Sequence, residues 1–108
     1  PRLVEIVEDE FNIHSDDGSM LYERFVVNLR GLMQRIVGKE QLDRIDIEFN
    51  DMVKKLYPRE YRCSEKLAEY IGKYYPDAVL DEELAMLSTH IRRFVLGRLT
   101  GEQDQNRS

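Results

Sequence analysis

Apolar residues recur every three or four positions in two long segments, a spacing typical of helices that bury one face. The segments are Ser19–Val37, SMLYERFVVNLRGLMQRIV, and Leu80–Val95, LDEELAMLSTHIRRFV. Each places one polar residue, Asn28 or His90, in or beside its apolar stripe. An imidazole can accept and release a phosphoryl group near neutral pH, whereas a carboxamide cannot. If the sequence shows a function, that function is therefore centred on His90.

The same periodicity predicts five helices and no strand. The predicted bounds are about Arg2–Asn12, Asp17 or Ser19 to Val37 with Gly38 closing the helix, about Ile45–Leu56, about Glu60–Tyr74, and about Glu82–Leu99 with Asp81 as its cap. Residues expected to face inward are Leu3, Val4, Val7, Phe11, Leu21, Phe25, Leu29, Leu32, Ile36, Phe49, Val53, Leu56, Leu67, Ile71, Tyr74, Leu84, Leu87, Ile91, Phe94 and Val95. A corner at Tyr57 and Pro58 separates the third and fourth helices, because proline disfavours helical geometry in the preceding residue. We predict an all-α fold, a compact bundle of about five helices.

Length and composition favour one domain. The chain has 108 residues, of which 42% are hydrophobic, enough for one modest core. We expect residues 1–99 to form this domain and residues 100–108, GEQDQNRS with its preceding threonine, to be a polar, disordered tail. No segment approaches the roughly 18 apolar residues of a membrane span, so a soluble, cytoplasmic protein is expected. The net charge of -5 argues against direct nucleic-acid binding by this domain.

Patterns typical of catalytic and metal sites are missing from the sequence. There is no glycine-rich phosphate loop, HExxH or GxSxG, and Cys63, His14 and His90 lack zinc-ligand spacing, so neither an enzyme nor a metal or other cofactor is expected. The acidic runs Glu8–Glu10 and Asp81–Glu83 could hold Mg²⁺. Consecutive carboxylates on a helix mostly point apart, however, and solvated or N-terminal roles are favoured. His14 is expected to make only local hydrogen bonds in its loop.

Helical spacing places His90 at the margin between core and solvent. A histidine in such a position is often a packed, structural residue. Arg93, on the next turn, favours a functional reading, because a phosphorylated imidazole needs a planar cation to hold its oxygens. Asn28 lies one turn after Arg24, and by itself it indicates a polar bond across a helix interface. Both readings of His90 remain open on spacing alone.

Three motifs give the chain a resemblance to a known family. SMLYERFVVNLRGLMQRI resembles the segment SLNYxRFxTHLxFFxxRI of the PTS regulation domain, which occurs in bacterial sugar-operon antiterminators of the BglG/SacY type. YPREYRCSEKLAEYIGKYY is similar to that domain's YPxAYxCAxxIxxYI, and LDEELAMLSTHIRR resembles its DExxYLTIHIxR. The resemblance covers roughly residues 1–99 and is closest to the second, C-terminal copy of the domain.

The resemblance implies a regulatory module instead of an enzyme. Members are five-helix bundles that form homodimers, and the phosphotransferase system phosphorylates their histidines, through HPr in the second copy and the sugar permease in the first. By this resemblance His90 matches the second phosphoacceptor, and Arg24 and Arg93 match the arginines of the YxRF and HIxR motifs. Asn28 falls where the family has its first phosphoacceptor histidine. This is a departure from the pattern, because asparagine cannot form the phosphoramidate.

Three functional hypotheses follow. In the first, phosphate on His90 changes dimer geometry, and an effector domain outside this chain, which binds RNA or DNA, responds to it. In the second, the chain is a constitutive dimerisation scaffold in which Asn28 silences the switch. The third, a small helical enzyme, requires a ligand pocket and a base that the sequence does not reveal.

Overall fold

The computed structural model describes residues 2–14, 19–40, 47–76, 79 and 81–99, and within them five helices in chain order. These helices are α1 (Arg2–Phe11), α2 (Met20–Val37), α3 (Ile47–Leu56), α4 (Pro58–Gly72) and α5 (Asp81–Leu99). No strand occurs among the described residues. The prediction of an all-α bundle of about five helices is confirmed. The predicted tail and the candidate cap Asp17 lie outside the described residues.

The start of α2 follows from a capping side chain. The hydroxyl oxygen of Ser19 accepts a hydrogen bond from the backbone N–H of Tyr22 at 3.0 Å, and it satisfies one of the amides that a helix leaves unpaired at its beginning. At the other end, Gly38 donates its backbone N–H to the carbonyl of Gln34. The left-handed residue is the next one, Lys39, with φ 55°. The predicted cap at Ser19 and stop at Gly38 are both confirmed.

The boundary between α3 and α4 is tighter than predicted. Tyr57 alone separates the two helices, and Pro58 is the first residue of α4 instead of part of a longer corner. Proline is favoured at this position, because the first helical N–H has no intrahelical partner to lose. The fourth helix therefore begins two residues before the predicted Glu60. Asp81 is likewise the first residue of α5 and not its cap.

Helix α5 lies at the centre of the bundle and packs against α2, α3 and α4, while α1 packs on α4. The main core draws on α1, α2, α4 and α5, and a smaller cluster joins α3, α4 and α5 through Val53, Tyr61, Leu84 and Ala85. Nearly all residues predicted to face inward are buried or partly buried.

Two of the inward predictions are wrong. Leu56 is 59% exposed and Tyr74 is 66% exposed. Tyr74 follows the end of α4 in a turn, so its helical spacing is interrupted, whereas Leu56 keeps helical spacing but is the last residue of α3 and has no following turn to cover it. Tyr61, one turn into α4, is buried in the smaller cluster.

Candidate functional site between α2 and α5

Helices α2 and α5 run antiparallel, as two cross-helix pairs show. The rings of Phe25 and Phe94 stack with centroids 4.7 Å apart and an interplanar angle of 8°. Farther along α2, Arg35 pairs with Glu83, which lies nearer the start of α5. As the residue number rises on α2, the number of its partner on α5 falls. These two pairs fix the register of the helices.

This register defines a seam with alternating spacings of four and three residues on both helices, the pattern of coiled-coil packing. The seam residues are Leu21, Phe25, Asn28, Leu32 and Arg35 on α2, and Glu83, Leu87, His90, Phe94 and Gly97 on α5. In this order Asn28 and His90 share one layer, and Arg35 and Glu83 share another, one heptad away. The seam therefore contains two polar layers, one between apolar layers and one at its end.

A small surface depression lies at the layer of Asn28 and His90. Its lining residues are Leu21, Arg24, Phe25, Asn28, His90, Arg93 and Phe94. All four site residues indicated by the sequence thus line one depression. The two arginines are exposed, whereas Asn28 and His90 are half-buried. The depression therefore combines a partly desolvated imidazole with two cationic side chains.

The surroundings of His90 favour its neutral form. Burial lowers its pKa first, and the positive charges of Arg93 and Arg35 lower it further, while the carboxylate of Glu83 acts in the opposite direction. A lowered pKa leaves a ring nitrogen with a free lone pair at neutral pH. Such a nitrogen can act as a nucleophile or as a hydrogen-bond acceptor.

This shift has a consequence for stability against pH. Because the pKa of His90 is lower in the folded protein than in the unfolded chain, the unfolded state binds a proton first as pH falls. Above pH 6.5, which is about the pKa of histidine in the unfolded chain, the ionisation of His90 does not change the free energy of unfolding. Below that pH it lowers the free energy of unfolding progressively. We expect the stability advantage of wild type over His90→Gln to decrease from pH 7.5 to about pH 5, as urea unfolding at each pH will measure. An unchanged or growing advantage would contradict the lowered pKa.

Sequence reasoning missed the second polar layer. Arg35 donates from Nε to Oε2 of Glu83 at 2.7 Å and from Nη2 to Oε1 at 2.8 Å. The Glu83 side chain is only 7% exposed and that of Arg35 is 28% exposed. The hydrogen bond to Glu83 raises the pKa of Arg35. A signal was present, since each residue stands seven positions from a predicted site residue, Asn28 or His90, on the same helical face.

The remaining candidates lie elsewhere. His14 is exposed just beyond α1 and does not line the depression. Burial raises the pKa of the Cys63 thiol to about 12, so this cysteine is a core residue and not a reactive thiolate. Within the described parts of the chain, no group of three or more histidine, cysteine or acidic side chains could hold a metal ion.

Comparison with known proteins identifies the family. A family model described as PRD domain matches residues 2–94, most of the chain. The chain belongs to the PRD domain family. The resemblance seen in the three sequence motifs is therefore confirmed, and the PRD domain is a regulatory module and not an enzyme. No solved structure matches this PRD domain significantly.

Two of the curated relatives of this PRD domain are antiterminators by name. It is 32% identical over 92 residues to the Beta-glucoside operon antiterminator of Dickeya chrysanthemi, a match that covers 85% of this chain and 32% of the relative. It is 33% identical over 94 residues to the Transcription antiterminator LicT of Bacillus subtilis (strain 168), covering 87% and 34%. It is 33% identical over 89 residues to the Protein GlcT of Staphylococcus haemolyticus, covering 82% and 31%. The PRD domain thus spans about a third of the length of these relatives.

No helix among the described residues combines the length and the apolar character that crossing a membrane requires.

Proposed function

We propose that this PRD domain is the phosphorylation-responsive regulatory and dimerisation domain of a bacterial sugar-operon antiterminator, with His90 as the phosphoacceptor for HPr. One observation carries the proposal: His90 lines a single depression with Arg24 and Arg93. The imidazole supplies the nucleophile, and the two guanidinium groups are candidates for binding the phosphoryl oxygens. Family membership supports the regulatory role.

The chemical step needs only groups that the depression and its donor supply. The lone pair of the neutral His90 imidazole forms a bond to phosphorus while the bond between phosphorus and HPr breaks, and the electron pair of that bond returns to HPr. The proton on the other ring nitrogen of His90 is released to HPr or to solvent. The lowered pKa of His90 keeps the attacking nitrogen unprotonated at neutral pH. The product carries about -1.5 to -2 charge, next to two exposed cations.

Asn28 makes this a one-histidine site. It stands at the family's first phosphoacceptor position, and in this chain it faces the same depression as His90. A carboxamide has no nucleophilic nitrogen of comparable basicity, so it cannot take up phosphate by the same step. We propose that Asn28 contributes hydrogen bonds near the phosphorylated imidazole and leaves His90 as the acceptor.

The proposed partners follow from the same role. They are a second copy of the domain, HPr and, in a secondary role, a sugar permease enzyme II, and the domain itself acts in the cytoplasm. The net charge of -5 argues against direct binding of RNA or DNA by this domain. We therefore propose that another module of the full regulator binds the nucleic acid.

The experiment is a phosphoryl relay in vitro. The domain is incubated with phosphoenolpyruvate, the general phosphotransferase enzyme and HPr, and intact mass is measured at alkaline pH to preserve a phosphoramidate. We expect wild type to gain one phosphoryl group, His90→Ala to gain none, and His14→Ala to match wild type as the control for the chain's other histidine. An adduct that persists in His90→Ala, or no adduct while a control acceptor is phosphorylated, would refute the assignment.

One observation favours the second candidate, a constitutive dimerisation scaffold. Asn28 occupies a half-buried layer of the helix seam between the apolar layers of Phe25 and Leu32, and a single asparagine in such a layer can serve to fix helix register. The variant Asn28→His separates the two candidates. In a switch that has lost one acceptor, this variant gains a second phosphoryl group in the relay, whereas in a scaffold both wild type and variant stay unmodified.

A further inference from the structure

The Arg35 guanidinium has one nitrogen directed away from its carboxylate partner. Nε and Nη2 donate to the two oxygens of Glu83, which fixes the plane of the group. The third nitrogen, Nη1, lies over Gly31, 3.6 Å from where a Cβ on that glycine would be. Gly31 is one turn from Asn28 and one turn from Arg35. Nη1 thus extends over α2 from the layer of Glu83 toward the layer of His90.

The direction of helical side chains brings the two layers closer together. Cα–Cβ bonds on a helix tilt toward its N-terminus, so Arg35 leans toward Asn28, and His90 leans toward Glu83. Because α2 and α5 are antiparallel, these two directions converge on the space above Gly31. Gly31 leaves that space open, and a Cβ there would come only into van der Waals contact with Nη1.

We propose that Arg35, held in place by Glu83, is a third cation of the His90 site and that its Nη1 donates to the phosphoryl group carried by His90. This inference rests on the proposed function and deepens it. A planar guanidinium that is already fixed on one edge binds a phosphoryl oxygen with little further ordering. Glu83 is a positioning residue, because it acts through Arg35 and does not touch the phosphoryl group.

The charges around His90 agree with this geometry. Arg24 on α2 and Arg93 on α5 line the depression with His90, and Arg35 on α2 and Glu83 on α5 lie beyond its lining. Both members of the Arg35–Glu83 pair influence the pKa of His90, in opposite directions, so both lie within electrostatic reach of the imidazole. A dianionic phosphoryl group at the same place interacts more strongly with Arg35 than the imidazole does.

The first test loads His90 without a protein donor. Phosphoramidate transfers its phosphoryl group to the imidazole with loss of ammonia, and intact mass follows the reaction. The variant Arg35→Met/Glu83→Leu removes both charges together. The matched control is Arg92→Met/Glu60→Leu, because Arg92 and Glu60 form an ion pair with an N–O distance of 3.4 Å and neither residue lines the depression. We expect the first double variant to load about tenfold more slowly than wild type, the cost of one lost charge-assisted hydrogen bond, and the control to load like wild type. Equal rates in the two double variants would overturn the proposal.

The second test uses the unphosphorylated protein. Its readout is the pKa of His90, which would not change if Arg35 and Glu83 only stabilised the fold. The pKa of His90 is measured by NMR titration of its imidazole protons. We expect Arg35→Met to raise this pKa, Glu83→Gln to lower it, and Arg35→Met/Glu83→Leu to return it toward the wild-type value. Three unchanged values would show that the pair does not face the site and would overturn the proposal.

The two proposals fail in different ways. If phosphoramidate phosphorylates His90 but HPr does not, the proposed donor is wrong. The role of Arg35 is then decided by the rates at which phosphoramidate phosphorylates wild type and the double variants. If HPr loads wild type and the Arg35→Met/Glu83→Leu variant at equal rates, the inference is wrong and the proposed function stands. A wild-type His90 that takes no phosphoryl group from either donor overturns both.

Discussion

Phe94→Ala is expected to lower the free energy of unfolding by about 3–5 kcal/mol, the range found for removing a buried phenylalanine side chain. Phe94 is 1% exposed and stacks on Phe25 across the seam between α2 and α5. The loss combines buried apolar area, a cavity at the joint of the two helices, and the stacking contact. Urea unfolding at pH 7.5 measures it.

The matched control for this change is Leu96→Ala on the same helix. Leu96 is 45% exposed and lies outside both core clusters, so its truncation is expected to stay within about 0.5 kcal/mol of wild type. A Phe94→Ala variant that loses no more stability than Leu96→Ala would show that the seam does not hold α2 and α5 together.

Arg35→Met is expected to be the second most costly change, at about 2–3 kcal/mol of unfolding free energy at pH 7.5. It leaves the Glu83 carboxylate, 7% exposed, without the guanidinium that accounts for both of its described hydrogen bonds. The expected loss stays below that of a fully buried ion pair because Arg35 is 28% exposed, and water can reach the vacated space. The measurement is again a urea titration.

A second change should reverse most of that loss. In Arg35→Met/Glu83→Leu both charges are gone and an apolar side chain fills the layer, so we expect stability within about 1 kcal/mol of wild type. If the double variant instead loses the sum of two independent penalties, the two residues do not act as a pair. Arg92→Met, at a more exposed ion pair with an N–O distance of 3.4 Å, is the control and is expected to cost under about 1 kcal/mol.

Most of the fold could be predicted from the sequence, because helical periodicity depends on residues that are close together in the chain. The stripe from Leu21 to Ile36 on α2 and the one from Leu84 to Val95 on α5 are buried as predicted. The errors occur at helix ends: Leu56 is the last residue of α3, Tyr74 lies two residues beyond α4, and both are exposed. Where a helix ends depends on capping and on the next element, and spacing does not report either.

The site was predicted in a different way. Spacing alone left His90 between a structural and a functional reading and placed Arg24, Asn28 and Arg93 near it, and the resemblance in the motifs then suggested a role for each. The structure brings all four to one depression. The layer of Arg35 and Glu83 was not predicted, because an acidic run at a helix start looks solvated until the register of a second helix is known. Register between distant helices is a tertiary property, set here by the stacked rings of Phe25 and Phe94.

The most direct test of the proposed switch is sedimentation velocity on the domain with and without phosphate on His90. Relay-treated protein, verified by intact mass, is compared with untreated protein and with His90→Ala carried through the same treatment. We expect phosphate on His90 to change the self-association constant by about tenfold or more, as one or two new charge-assisted contacts would, and His90→Ala to be unaffected. Superimposable profiles for phosphorylated and unmodified wild type, across a range of protein concentrations, would contradict a phosphorylation-controlled dimer.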